Sequence, residues 1–246
     1  YNIVSSSSEE SRLYELYKNR PQQLIQYAKK ISNNQIFKSC KQTIYYICEC
    51  DGFVDLRVFC DTFNINVDEV IKLIKCGLLR KEKERFVPHE SLFEYYSYDK
   101  AAVMNSILAE RYWQKQMYAA PQNTCVCNLV LAYIKKKGLG WLDDSKSILK
   151  LLTSYCLSKY KWRDLETLFP FFIEEKCNHL IIKVSQQLAH VARNYILQFN
   201  DVLQELFCDE EKNIWNAIRG EILYWVGDFD ECIRISNDLL KIPFLE

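Results

Sequence analysis

The sequence predicts a mainly α-helical protein, and three observations support this fold class. The chain has 246 residues, of which 49% are hydrophobic, so it can bury a sizeable core. It contains only 6 glycines and 5 prolines, too few for the many turns of a β-sandwich or barrel. From Asp99 onward, apolar residues recur at helical spacing almost to the end of the chain. The aromatic content of 14% supplies large side chains that interlock between helices.

The first part of the chain, residues 1–36, is predicted to be an N-terminal helical segment. A polar stretch leads into a short helix at about 9–18. A second helix begins at Pro21, because proline is tolerated in the first turn of a helix. The apolar residues of this helix share one face at helical spacing: Leu24, Ile25, Ala28 and Ile31.

Residues 37–98 are predicted to form a winged-helix-like domain. Three short helices are expected, at about 37–50, in VDLRVFCDTF and in VDEVIKLIKCG, where Gly77 is the expected C-cap. The third helix shows the 3, 4 spacing of a buried face at Val70, Ile71, Ile74 and Leu78. LLRKE and RFVPH then predict a hairpin, and three helices followed by a hairpin are typical of a winged helix.

Residues 99–246 are predicted to form an α-helical hairpin array, a tetratricopeptide-like superhelix. One long helix follows Asp99, and the next begins at Pro121 and ends at Gly138. Later helices are expected in LDDSKSILKLLTSYCLSKY, WRDLETLFPFFIEE, HLIIKVSQQLAHVARNYILQF, EEKNIWNAIRGEILYWV and FDECIRISNDLL. One tetratricopeptide-like unit has small and aromatic residues at the expected positions, namely Gly220, Gly227, Phe229 and Cys232. An earlier stretch, LTSYCLSKYKWRDLETLF, has the same arrangement, with Trp162 at the aromatic position.

The sequence lacks the motifs of an enzyme. It has no GxxxxGK[ST], GxGxxG or GxSxG pattern. His179 and His190 would lie about 16 Å apart on one helix, too far to share a metal ion. Asp143 and Asp144 are neighbours at a helix start, where they favour the helix dipole rather than form a catalytic pair. We therefore expect no catalytic residues, no cofactor and no metal site.

The cysteines indicate a reducing, intracellular environment, in the cytoplasm or nucleus. There are eleven, an odd number, and most lie in apolar, helix-like stretches, as reduced buried thiols do. No apolar run approaches the roughly 18 residues of a membrane span, so no membrane partner is expected. Because Tyr1 is not an initiator residue, we expect the chain to be a fragment of a larger protein.

The charge distribution disfavours nucleic acid as a partner. Lysine plus arginine and aspartate plus glutamate both number 32, so the net charge is zero. The third helix of the winged-helix-like domain begins with Asp68 and Glu69, which would oppose phosphates. If the hairpin does contact DNA or RNA, the candidate residues are Lys81, Lys83 and Arg85.

The stretch from FVDLRVFCDTF to HESLFEYY resembles the winged-helix domain of STAND NTPases, the apoptosome-type signalling ATPases. The matching residues are Leu78, Leu79, Phe86 and His89, followed by Leu92 and Tyr95. In active family members a histidine near this place contacts the nucleotide phosphate, so the resemblance implies that role for His89 if a nucleotide domain lies upstream. RPQQL at residues 20–24 looks like the GNPLAL-type motif without its glycine, and the later helices look like the superhelical arm of the family.

These observations predict a non-enzymatic protein-interaction or scaffolding segment of a larger intracellular protein. The expected partners are proteins, self-association is compatible with this role, and aromatic residues are the candidate anchors: Tyr95, Tyr96, Trp113 and Tyr118. Two alternatives stay open. The chain could be the regulatory part of an ATP-controlled STAND-type switch, or a winged-helix module that binds nucleic acid.

Overall fold

The computed structural model describes residues 39–89, 92 and 106–242. In this part of the chain the fold has twelve helices and one two-stranded sheet, which confirms the prediction of a mainly α-helical protein. The predicted helices at about 9–18 and from Pro21 lie outside the described residues.

Three short helices follow one another at the start of the described chain: α1 (Lys41–Glu49), α2 (Leu56–Phe63) and α3 (Val67–Lys75). The Asp55 side chain caps α2 by accepting the Val58 N–H, and the Asn66 side chain caps α3 in the same way. Asn64 ends α2 with a left-handed φ of 53°. The predicted helix, connector and helix are therefore present, and polar residues with defined capping roles set their limits.

The predicted hairpin follows as β1 (Leu79–Glu82) and β2 (Arg85–Pro88), which pair antiparallel. Gly77 has a φ of 69° directly after α3, so it takes the expected left-handed position. Phe53, between α1 and α2, adds a single bridge to the outer edge of the hairpin. Its N–H donates to the Phe86 carbonyl at 2.8 Å, and it accepts the Phe86 N–H at 2.7 Å.

The prediction for the buried face of α3 is confirmed at Val70 and at Leu78, which follows the helix, but not at Ile71 and Ile74. Val70 and Leu73 are fully buried, whereas Ile71 and Ile74 are half-buried. Residues 70 and 73 are one helical turn apart, so they define the face that packs against the neighbouring elements. Ile71 and Ile74 lie one residue further along and therefore flank this face.

Two further helices follow, α4 (Ser106–Ala119) and α5 (Thr124–Lys137), and the first of two compact units includes α4 and the start of α5. The first unit extends to Val130, whereas the sequence predicts a boundary between residues 98 and 99. Tyr112 connects α4 with the preceding helices, since its hydroxyl accepts the Val54 N–H at 3.0 Å. Its ring also meets Phe59 edge-on at 5.5 Å. The helix after residue 99 thus belongs to the core of the preceding helices.

The second unit begins at Leu131, within α5, and contains seven more helices. Each packs mainly against neighbours that are near in sequence, with α6 on α7, α7 on α8 and α11 on α12. Their bounds are α6 (Ser145–Ser158), α7 (Trp162–Glu174), α8 (Asn178–Leu188), α9 (Arg193–Leu197), α10 (Asn200–Leu206), α11 (Asp209–Val226) and α12 (Phe229–Leu239).

The prediction of a single helix in HLIIKVSQQLAHVARNYILQF is wrong, because one helix ends at Leu188 and the next begins at Arg193. After the break, Tyr195 and Phe199 pack against Phe169 of α7, with ring centroids 6.4 and 5.1 Å away. The interruption at residues 189–192 therefore allows two half-buried aromatic rings to pack against α7.

The α11–α12 hairpin has the small residues expected from the sequence. Gly227 ends α11 with a φ of 86°, and the Asp228 side chain caps α12. A Cβ atom on Gly220 would lie 3.7 Å from Ile235 Cγ2, which is ordinary contact. Arg219 of α11 binds Glu231 of α12 at 2.7 Å and joins the two helices, and Arg234 binds the same carboxylate at 2.6 Å from within α12.

None of the helices in the described part of the chain is both long enough and apolar enough to cross a membrane.

Candidate functional site

The predicted aromatic anchors occupy very different environments. Trp113 is 1% exposed and packs edge-on against Tyr112 at 4.8 Å, so the prediction that it is a surface anchor is wrong. Trp113 lies on the side of α4 that packs into the core of the first unit. Tyr118, near the end of α4, is 45% exposed and stays a candidate. Tyr95 and Tyr96 lie outside the described residues.

The predicted hairpin cations are not equivalent. Lys81 and Lys83 are exposed, whereas Arg85 is half-buried. Arg85 Nη1 donates to the Asp51 carbonyl at 3.0 Å and to Asp51 Oδ2 at 2.9 Å. Arg85 therefore fastens the hairpin to the turn after α1, and the two lysines provide the accessible positive charge of the predicted set.

His89 lies at the end of the hairpin and is buried, with 9% exposure. Its N–H donates to the Leu78 carbonyl at 3.0 Å, which extends the pairing of the two strands by one further bond. The backbone of His89 thus lies at the base of the hairpin, and its side chain is buried there.

A groove of about 800 Å³ lies in the first unit, between the hairpin tip and the start of α5. Its lining mixes both signs of charge with apolar surface: Glu82, Lys83, Glu84, Arg85, Thr124, Cys125, Asn128 and Leu129. Burial raises the pKa of the Cys125 thiol, with smaller effects from Arg85, which lowers it, and Glu84, which raises it. The thiol is therefore neutral at pH 7 and is not activated as a nucleophile.

Most of the cysteines are buried, and three of them share this effect of burial on the pKa. All eleven are thiols outside any disulfide, and seven of them are buried. Burial raises the pKa of Cys50, Cys60 and Cys177 as well. In the described ranges, no three histidine, cysteine, aspartate or glutamate side chains come together in a way that could hold a metal ion.

Among the described residues, α11 and α12 carry an exposed apolar patch that the sequence analysis did not identify. We define the apolar patch by six residues that are between 41% and 74% exposed: Tyr224, Trp225, Val226, Phe229, Ile233 and Leu240. Large exposed apolar patches commonly mark interaction sites, whereas single exposed apolar residues do not.

Contacts between aromatic side chains order the centre of the patch. The Tyr224 ring lies edge-on to Trp225 at 5.5 Å and to Phe229 at 5.8 Å. The Arg193 guanidinium lies 5.3 Å from the centroid of the Trp225 ring, in a cation–π contact. Tryptophan, tyrosine and arginine are the residues that most often dominate the binding energy of protein interfaces.

A signal for this patch does exist in the sequence, in the excess of apolar residues in α12. Ile235 is buried against α11, and Cys232 and Leu239 are half-buried near it. One packed face accounts for these three residues, and it leaves Phe229, Ile233 and Leu240 on a different side of the helix. A helix with two apolar faces has a second face available for another contact.

The described residues thus present a surface suited to binding another macromolecule. Comparison with protein-family models, with curated proteins and with solved structures found no match to this chain.

Proposed function

We propose that this chain is a non-enzymatic protein-interaction segment of a larger intracellular protein and that it docks a partner through the apolar patch. The observation that carries the proposal is the clustering of Tyr224, Trp225 and Phe229 at roughly half exposure. Aromatic rings offer a large contact area and lose little side-chain entropy on binding, because each has only two rotatable bonds.

The order of elements supports a scaffolding architecture. Three helices and a hairpin, with Phe53 as a bridging third strand position, follow the order of a winged helix. The α6–α7 and α11–α12 pairs support a tetratricopeptide-like array, in which stacked hairpins expose a long binding surface. The resemblance to STAND NTPases supports the alternative of a regulatory part in an ATP-controlled switch, with His89 near the nucleotide.

The test compares partner capture by the natural chain and by a variant with Tyr224→Ser and Trp225→Ser. Tyr160→Ser is the matched control, since Tyr160 is 75% exposed and lies in the α6–α7 turn, outside the patch. We expect the natural chain and the control to capture a partner protein in similar amounts, and the patch variant to capture at least tenfold less of it. Binding must then be reproduced with the purified partner. Equal capture by all three proteins would contradict the proposal.

Nucleic acid binding is a second candidate, because Lys81 and Lys83 are exposed on the hairpin. Against it, Asp68 is exposed in the first turn of α3, and each lysine has a neighbouring glutamate in Glu82 or Glu84. We expect duplex DNA to bind no more tightly than about 10⁻⁴ M at physiological salt. Sub-micromolar binding that Lys81→Glu and Lys83→Glu remove would establish this function instead.

A further inference from the structure

The exposed side of α12 is a continuous stripe rather than a scatter of apolar residues. With 100° of rotation per residue, four residues fall within about 60° of arc on the helix surface. These residues, which we call the α12 stripe, are Phe229, Ile233, Ser236 and Leu240. All four are exposed, and the Ser236 hydroxyl is turned back to donate to the Cys232 carbonyl at 2.9 Å. The stripe therefore presents three large apolar side chains and, at Ser236, one small residue that leaves space between them.

The spacing of the stripe is complementary to itself when two copies of the helix run antiparallel. With the two-fold axis between residues 234 and 235, Phe229 faces Leu240 of the second copy. Ile233 then faces Ser236 of the second copy, so a large side chain meets a small one at each crossing point. A two-fold interface is made of one surface patch used twice, which is the property this stripe has.

We propose that the α12 stripe binds the α12 stripe of a second copy of this chain in an antiparallel, two-fold arrangement. This inference rests on the proposed function, because it names the partner for one part of the apolar patch. The partner chemistry is thus a second identical helix face, flanked by the same charges.

Charges beside the stripe select the antiparallel orientation. Asp230 and Lys241 flank the stripe on the side away from the packed face of α12, and both are exposed. In the antiparallel arrangement, Asp230 lies near Lys241 of the second copy, and the reciprocal pair forms by symmetry. Lys241 binds Asp238 at 2.8 Å in the single chain, but both residues are exposed, so this pair is weak and exchangeable. In a parallel two-fold pair of helices, the Asp230 and Lys241 side chains of the two copies would instead lie on opposite sides of the interface, so these ion pairs could not form.

The first experiment measures self-association of the whole chain by analytical ultracentrifugation over a range of concentrations. One helix face from each copy makes a small interface, so we expect a dimer with micromolar affinity. Ile233→Glu should weaken dimerisation at least tenfold. Ile214→Glu is the matched control, because Ile214 is 44% exposed on α11, outside the stripe, and it should leave the dimer unchanged. A natural chain that stays monomeric at high micromolar concentration would overturn the proposal.

The second experiment tests the register by oxidative cross-linking. Two Ser236→Cys helices would place the new thiols about 4.5 Å apart along the axis, within disulfide reach, whereas two Leu240→Cys helices would place them about 16 Å apart. We expect the first variant to cross-link with itself, and the second only when mixed with Phe229→Cys. The natural chain, with its own cysteines, supplies the background. Equal cross-linking of every variant would contradict the register.

The third experiment reverses the charges. Asp230→Lys alone and Lys241→Asp alone should each weaken the dimer, and the two together should restore it, because the pair is rebuilt with opposite polarity. Failure of the double variant to recover would contradict the antiparallel orientation. If the natural chain does not dimerise but captures another protein, and this capture depends on Trp225, the present inference is overturned and the proposed function stands. Capture that does not depend on the patch would instead overturn the proposed function.

Discussion

The hydroxyl of Tyr195 completes a helix that a proline interrupts. Pro170 lies inside α7 and has no N–H, so the carbonyl of Glu166, four residues earlier, lacks its usual helical donor. Tyr195 supplies the missing hydrogen bond by donating from its hydroxyl to the Glu166 carbonyl at 2.6 Å. Burial, followed by the Glu166 charge, raises the pKa of Tyr195 above 10, which keeps the hydroxyl protonated as a donor.

We therefore expect Tyr195→Phe to lower the free energy of unfolding by about 1 kcal/mol, the usual value of such a bond. In a Pro170→Ala background the cost should shrink, because the alanine N–H can bond to Glu166. Because the folded pKa is raised, the contribution is fully present below pH 10 and declines as the pH rises through the folded pKa. Urea unfolding of the four proteins at pH 7 and at pH 10.5 measures both effects. Additive costs of the two substitutions would contradict the shared hydrogen bond.

The burial of α3 yields a second prediction at single residues. Leu73 is fully buried in the core, whereas Ile71 is half-buried. Leu73→Ala should cost about 2–5 kcal/mol, because it leaves a cavity, and Ile71→Ala should cost distinctly less. Thermal melts followed by circular dichroism compare the two variants. Equal losses would show that both residues lie in the packed face.

At the scale of elements, Gly52 allows the Phe53 bridge to form. Its φ is 95°, and a Cβ atom there would lie 2.1 Å from the Phe86 carbonyl oxygen. The chain can thus reach the hairpin edge only because this residue has no side chain.

Three glycines separate the effect of this contact from the effect of backbone conformation. Gly52→Ala should be the most destabilising, by several times the roughly 1 kcal/mol that a strained φ alone costs. Gly138→Ala keeps a φ of 73° but has open space around its Cβ position, so it measures strain alone. Gly140→Ala has open space and no positive φ, and should be close to neutral. Thermal melts rank the three variants, and a Gly52→Ala protein as stable as Gly138→Ala would contradict the steric explanation.

The elements that sequence reasoning located are those with strong local signals. Gly77 as a C-cap and Gly138 at a helix end act on their immediate neighbours, so their effects can be predicted without the fold. The break after Leu188 could not be predicted, because it is stabilised by ring contacts with Phe169, which is distant in sequence.

The candidate site was harder to predict for the same reason. Both Trp113 and Trp225 lie in helices with suitable spacing, yet one is 1% exposed and the other 54%. The difference depends on which helix faces have neighbours in the fold. Aromatic residue type alone therefore identifies candidates for anchors, and the packing of α4 and α11 decides between them.

At the scale of the whole molecule, the cysteines report on burial throughout the chain. Cys208 is exposed, three cysteines are half-buried, and the other seven are buried. In the folded protein, Cys208 should react with iodoacetamide at least tenfold faster than any buried cysteine, since the thiolate must meet the reagent. All eleven should react at similar rates in denaturant. Labelling of Cys125 should continue to rise above pH 9, because its pKa is raised. Mass spectrometry of labelled peptides measures each site, and rapid labelling of Cys50 would contradict the described core.

The bond between Tyr112 and Val54 also has a consequence for synthesis of the chain. It joins residues that are 58 apart in sequence. During synthesis, α1, α2, α3 and the hairpin therefore emerge from the ribosome well before α4, whose Tyr112 packs against Phe59. By contrast, α11 and α12 are joined by a two-residue turn and can pair as soon as both emerge. During translation, the core of the first unit therefore cannot form before α4 has emerged, and a nascent chain that ends at Lys100 should be more sensitive to protease than one that extends beyond Ala119.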